Sequence, residues 1–161
     1  MKKAKLSHYN AAGAVSMVDV SPKAITSRSA SAHAYVAMPP EVLAALPQNK
    51  KGDPFEIARI AGIGAAKRTA ELIPLCHQLP LSHVSVEFQL DAAGVAIITS
   101  ARTTAQTGVE MEAMTAAAVA ALTIYDMTKA LNKAIEIREI HLLEKTGGKS
   151  GTFRRGRGRA K

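Results

Sequence analysis

Five short segments of this chain set lysine, acid, cysteine or histidine side chains beside turn or helix-start signals, where such groups can move protons or hold anions. The first is Lys50-Lys51-Gly52-Asp53. Asp53 followed by Pro54 marks a helix start, and free N–H groups at such a start favour anions, so Lys51 can bind a phosphate or donate a proton. The plain alternative is a solvated lysine pair beside a cap. The second is Leu72-Ile73-Pro74-Leu75-Cys76-His77, in which Pro74 ends a helix and delivers Cys76 and His77 into an apolar loop. As sequence neighbours they are poorly spaced for a nucleophile and its base. His77 and His83 lack a third ligand, so no metal site is expected. A buried cysteine with a hydrogen-bonded histidine is the alternative. The third is Thr107-Gly108-Val109-Glu110-Met111-Glu112, where Gly108 permits an unusual backbone angle. Its two acids complement a helix dipole, and could equally accept hydrogen bonds from the N–H edge of a guanine-like ring.

The fourth segment is Thr123-Ile124-Tyr125-Asp126-Met127-Thr128-Lys129-Ala130. Asp126 and Lys129 are neighbours on a helix surface, and the apolar residues around them predict partial burial of at least one. Each charge favours the other, while desolvation would lower the lysine's pKa toward neutrality, where it is a usable acid or base. The alternative is a surface ion pair of little energetic weight. The fifth, Gly147-Gly148-Lys149-Ser150-Gly151, is like a P-loop, but the first required glycine would fall at Leu143 and no helix follows. A glycine-rich flap that lays basic side chains on phosphates fits better than a nucleotide-hydrolysing loop.

The elements that must position these groups follow from periodicity. Ser16–Val20 reads as a short strand. From Ala24 to Met38, Ala30, Ala32, Ala34, Val36 and Met38 are in phase, as in a half-buried strand. Pro39-Pro40-Glu41 opens a short helix, and a longer one is expected from Pro54 to about Ile73. Val84, Val86, Phe88 and Leu90 alternate with polar residues, Asp91–Gly94 forms a hairpin turn, and Val95, Ile97, Thr99 and Ala101 line one face of the return strand. A helix from about Val109 to Lys133 carries a flat alanine-rich centre, and Ile135–Leu143 is the last strand. The order is βαββαβ, which predicts an α+β, ferredoxin-like domain: an antiparallel sheet with helices packed on one face. That fold hosts many functions and selects none.

The chain has 161 residues, 47% of them hydrophobic and only 4% aromatic, which fits one domain with an aliphatic core. One cysteine excludes an intrachain disulfide and suits a reducing compartment. No apolar stretch of signal-peptide length follows the basic start, and the longest apolar region, Ala116–Ile124, is far shorter than the ~20 residues of a membrane span. A soluble cytoplasmic protein is expected. Of the net charge of +8, Arg154, Arg155, Arg157, Arg159 and Lys161 supply +5, leaving +3 on the rest. The expected organisation is a flexible N-terminus over 1–15, one catalytic domain over 16–153 and a basic disordered tail over 154–161. Arginine interspersed with glycine can also contact nucleic-acid phosphates, so the rival function is a basic ferredoxin-like RNA-binding module. Its weakness is the lack of stacking aromatics beyond Tyr35 and Phe88.

Taken together, Met17–Val20, Lys51–Asp53, Ala58–Ile63 with Ala65–Thr69, Leu72–His77, Thr107–Glu112, Ala120–Asp126 with Lys129, and Gly147–Gly151 resemble the cyclic pyranopterin monophosphate synthase family, accessory protein C of molybdenum cofactor biosynthesis. The segments stand in family order over most of 15–153. The departures are the Arg/Gly tail and Gln106, where the family leads one to expect a basic residue. The resemblance implies a lyase that acts on a GTP-derived substrate with ribose joined to C8 of the purine, makes a pyranopterin with a cyclic phosphate, and releases pyrophosphate. It implies Asp126, Lys51 and Lys129 as catalytic residues, and Leu75, Cys76, His77, Met111 and Glu112 as the pocket. It implies Glu110, Lys67, Arg28 and Lys145 as further candidate substrate contacts. It also implies a homohexamer, a trimer of dimers, with sites at the dimer interface, where Lys51 of one chain is expected to meet Asp126 and Lys129 of another. No redox cofactor, membrane or nucleic acid is expected to take part. Magnesium assistance to the pyrophosphate is left open by these residues.

Overall fold

The computed structural model describes residues 8–10 and 12–156. Strand β1 (Thr26–Ala37) obeys its alternation: Ala30, Ala32, Ala34 and Val36 are buried, and Met38 just beyond the strand continues the series. Helix α1 (Pro40–Ala45) and a 3₁₀ turn (Leu46–Gln48) follow, then α2 (Pro54–Lys67), a single turn α3 (Thr69–Leu72), the hairpin β2 (Leu81–Asp91) and β3 (Gly94–Ala105), α4 (Glu110–Thr128), β4 (Glu136–Thr146) and a two-residue β5 (Phe153–Arg154). The sheet order is β2-β3-β1-β4-β5, antiparallel throughout. The first four strands in this order are those of the ferredoxin-like fold, and α2 and α4 pack on one face.

Alanine makes this packing close. Ala113, Ala116, Ala117, Ala120 and Ala121 are all fully buried along α4. Gly62 of α2 lets the helices approach: a Cβ there would lie 3.0 Å from the Ala116 carbonyl oxygen and 3.0 Å from Val86 Cγ2. Asp53 caps α2 as its sequence predicts, accepting from the N–H of Phe55 at 2.8 Å and of Glu56 at 3.4 Å. The start of α2 lies beside the end of α4, so the two helices run antiparallel.

Four boundaries differ from the periodicity. Ser16–Val20 forms no strand; the nearest pairing is an isolated bridge between Tyr9 and Val15. Helix α2 stops at Lys67 rather than Ile73, because Arg68 leaves helical geometry (φ −111°, ψ 14°) and the buried Thr69 hydroxyl bonds back to the Ala66 carbonyl at 3.0 Å. Helix α4 ends at Thr128, five residues early. Thr128 Oγ1 donates to the Ile124 carbonyl at 2.7 Å, and side chains from another loop take the next carbonyls. Strand β4 runs on to Thr146, which pairs with Ser29, and so includes Lys145.

Candidate active site

Two chambers open between the N-terminal end of α4, the Leu75–Leu79 loop and the strand ends. They share Lys23, Thr107, Gly108 and Glu110, and so form one cleft. The first, of about 480 Å³, is lined by Ile73, Leu75, Cys76, His77, Met111 and Glu112, with Val18 and Val20 laid across it. The second, of about 840 Å³, is lined by Arg28, Gln106, Lys145, Lys149 and Gly147–Gly148. One half is thus apolar with a few titratable groups, and the other is cationic.

Glu112 dominates the apolar half. It is only 4% exposed, and burial, with a smaller contribution from the charge of Glu110, pushes its carboxyl up to about 7 despite its place in the first turn of a helix. Near neutrality it can donate or accept a proton. The thiol of Cys76 is held above its usual range, first by burial and then by Glu112, so it is a neutral contact rather than a thiolate nucleophile. His77 Nε2 lies 2.8 Å from the Val18 carbonyl. A carbonyl only accepts, so Nε2 carries a proton. Gly108 does not adopt a left-handed angle. The Glu110 carboxylate folds over it, with Cδ 2.7 Å from where a Cβ would stand.

The cationic half is built on Arg28. Its Nε donates to the Ala105 carbonyl at 3.0 Å and its Nη2 to the Gln106 carbonyl at 3.1 Å, which fixes the guanidinium below the glycine turn. Gly147 (φ 86°) and Gly148 (φ 73°) need glycine twice over. They occupy the left-handed region, and a Cβ on Gly148 would lie 2.9 Å from Cζ of Arg28. Lys145 Nζ donates to Ser150 Oγ across the same turn. Lys67 is exposed in the last turn of α2 and lines neither chamber.

The three residues expected to transfer protons are brought together at the other end of α4. Lys129 Nζ lies 2.6 Å from Asp126 Oδ1, and Lys51 Nζ donates to the Asp126 carbonyl at 3.1 Å. All three meet within one chain, which differs from the expected meeting of Lys51 with the other two across subunits. The loop before α2 folds onto the end of α4, a contact that separation in sequence does not reveal. Partial burial is corrected as well: the side chains of Lys129 and Asp126 are 48% and 60% exposed. With little desolvation, the hydrogen bond to Asp126 raises the Lys129 pKa instead of lowering it, and Asp126 is held below the usual carboxylate range by Lys129 first and Lys51 second. Lys129 is therefore a charged donor at neutral pH in the single chain.

Fourteen residues separate Asp126 from Glu112 on α4, about 21 Å at the rise of an α-helix. The structure thus joins the pocket residues to one another, and the lysines to Asp126, but keeps the two groups apart within a chain. Sequence reasoning missed Lys23, which lines both chambers, although Ser21-Pro22-Lys23 is a turn signal ending in a cation. It also missed Asn49, whose turn-forming side chain stands just before the lysine pair.

Comparison with known proteins fits this arrangement. The MoaC family model matches residues 17–148. The cyclic pyranopterin monophosphate synthase of Chloroflexus aurantiacus is 55% identical over 157 residues, 95% of this chain and 96% of the relative. Proteins of the same name from Dinoroseobacter shibae and Deinococcus radiodurans are 54% and 53% identical over 152 and 151 residues, each 92% of this chain and 96% and 89% of the relative. With the family model covering most of its length and relatives of more than half identity covering nearly all of it, this chain belongs to the MoaC family.

Proposed function

We propose that this chain is a cyclic pyranopterin monophosphate synthase, a lyase of molybdenum cofactor biosynthesis. It converts (8S)-3',8-cyclo-7,8-dihydroguanosine 5'-triphosphate to cyclic pyranopterin monophosphate and releases pyrophosphate. The observation that carries this reading is the two-part cleft: a buried, protonatable Glu112 beside Cys76 and His77 suits a guanine-like ring, and the Arg28–Lys145–Gly148 end suits a triphosphate. The reaction opens the purine five-membered ring, closes new rings and lets a sugar hydroxyl attack the α-phosphate as pyrophosphate leaves. No net oxidation occurs, so acids and bases of the protein suffice for the proton transfers, and positioning with charge stabilisation serves the phosphate step.

In this reading Asp126, Lys51 and Lys129 are the catalytic group and reach the cleft of a second copy. Met111, Ala118, Leu122, Asp126 and Lys129 follow one stripe of α4, with Met111 and Leu122 exposed at 37% and 57%. A two-fold axis near Ala118 would set the lysines of one chain opposite Met111 and Glu112 of its partner and supply the missing 21 Å, about the rise over fourteen helical residues. Three such dimers would make the homohexamer. A cytoplasmic location belongs to the same reading, supported by the free thiol of Cys76; among the described residues no helix is long and apolar enough to cross a membrane.

The RNA-binding alternative loses its stacking residues. Phe88 packs against Phe55 with ring centroids 5.2 Å apart, beneath Arg59, and the Tyr35 hydroxyl donates to Asp91 at 2.8 Å. The test is to incubate the purified protein with the cyclised dihydroguanosine triphosphate and measure pyrophosphate and pterin product. Turnover is expected, with a loss of roughly 10²–10⁴-fold in Lys51→Ala. Absence of both products from the assembled wild-type protein would overturn the proposal.

A further inference from the structure

The last turn of α4 carries Asp126, and Lys129 follows as its C-cap, yet the turn lacks the usual means of satisfying its carbonyls. The Tyr125 carbonyl accepts from the Lys129 amide at 2.8 Å, and the Thr128 carbonyl from the Leu131 amide at 2.9 Å. The carbonyls of Asp126 and Met127 are the orphans left at a helix end. Both are taken by side chains from the loop before α2: Lys51 Nζ donates to Asp126 at 3.1 Å, and Asn49 Nδ2 donates to Met127 at 3.0 Å.

Asn49 is also bonded into its own loop. Its Oδ1 accepts from the Lys51 amide at 3.0 Å, and its carbonyl accepts from the Gly52 amide at 3.0 Å, where Gly52 turns the chain with φ 96°. One amide side chain thus uses its donor on the helix that bears Asp126 and its acceptor on the backbone of Lys51. It is partly buried, and apart from the Lys51 ammonium it is the direct polar tie between the two segments among the described residues.

We propose that Asn49 is a positioning residue for the reaction: it sets the Lys51 ammonium against Asp126 and Lys129 without touching substrate. This rests on the reading that these three residues are catalytic. Without the tie the 49–52 loop loses its register on α4, and a displacement near 1 Å at a catalytic group is enough to cost up to about 10²-fold in rate. The cleft at the far end of α4 is untouched, so substrate binding should hold.

The test uses the full-length assembled protein with the cyclised dihydroguanosine triphosphate as substrate, and Asn49→Ala, Asn49→Asp, Lys51→Ala and both Asn49 changes combined with Lys51→Ala. Asn49→Asp keeps the acceptor for the Lys51 amide and loses the donor to Met127. Circular dichroism and sedimentation select the temperature at which each variant keeps the wild-type fold and assembly. The expected result is that kcat falls by roughly 10–10²-fold in both Asn49 variants with KM within about threefold, and that neither change lowers turnover further once Lys51 is alanine. If kcat stays within twofold of wild type while Lys51→Ala is impaired, Asn49 does not position the lysine. If its full effect persists in the Lys51→Ala background, Asn49 acts on the fold at large, and the proposal is equally wrong. Full turnover in Lys51→Ala alone would instead remove the catalytic reading on which the proposal stands, an outcome distinct from either Asn49 result.

Discussion

Glu112→Gln should make the protein more stable above neutral pH while costing it activity. The buried carboxyl titrates at about 7 instead of 4.5. Below pH 4.5 it is protonated both folded and unfolded and adds no pH dependence. Between 4.5 and 7 the unfolded chain ionises while the folded chain keeps its proton, so stability falls as pH rises, by about 1.4 kcal/mol per pH unit. Across that window the loss approaches roughly 3 kcal/mol per subunit, an upper bound because water in the cleft screens the group. Glutamine never ionises. The variant should match wild type near pH 4.5 and exceed it by up to roughly 3 kcal/mol near pH 8. Urea unfolding followed by circular dichroism, at both pH values and one protein concentration, reads this directly. In the proposed dimer, Lys51 and Lys129 of the partner subunit would favour the ionised carboxylate and shrink the gain. The measurement is therefore repeated in a Lys51→Ala/Lys129→Ala background, where the full gain is expected. A stability difference that does not change with pH in that background would refute burial as the force holding the proton on Glu112. Equal gains in the two backgrounds would refute the approach of the partner lysines.

Further outcomes follow from the same geometry. Because Lys51 and Lys129 lie in one chain, mixing Lys51→Ala with Lys129→Ala protein should restore no turnover, whereas mixing Lys51→Ala with Glu112→Gln should restore about a quarter of the sites if the cleft is completed by a two-fold partner; no recovery after confirmed subunit exchange would place the whole site in one chain. Gly148→Ala forces a side chain into left-handed backbone and onto the Arg28 guanidinium. Its KM should rise with a stability loss of about 1–3 kcal/mol, and an unchanged KM would separate the glycine turn from the triphosphate. Deleting residues 157–161 should leave turnover within twofold in a steady-state pyrophosphate assay. Deleting from Arg154 also removes the β5 pairing with Glu144 and the Arg155 side-chain bond to the Leu142 carbonyl, so it should lower the melting temperature.

The strands from β1 to β4 and the starts of α1, α2 and α4 were legible because their signals are local. Alternation along Ala30–Met38 and Val95–Ala101 names the buried face without any knowledge of what covers it, and Asp53-Pro54 starts a helix through bonds within three residues. The family segments were legible for a related reason: they are runs of residue types in a fixed order, and the cleft collects Leu75, Cys76, His77, Met111 and Glu112 from two of them.

What the tertiary structure alone decided depends on groups far apart in the chain. Helix α4 carries helix-compatible residues past Thr128, but it stops where Asn49 and Lys51, more than seventy residues away, take its last carbonyls. The protonation of the carboxyl group divides along this one helix: Glu112, walled in at its start, holds its proton near neutrality, while Asp126, exposed at its end between two lysines, does not. Composition and spacing carry residue type and local period. Burial and charge proximity, which determine pKa and the meeting of Lys51 with Asp126, exist only once the loop before α2 has docked against the end of α4.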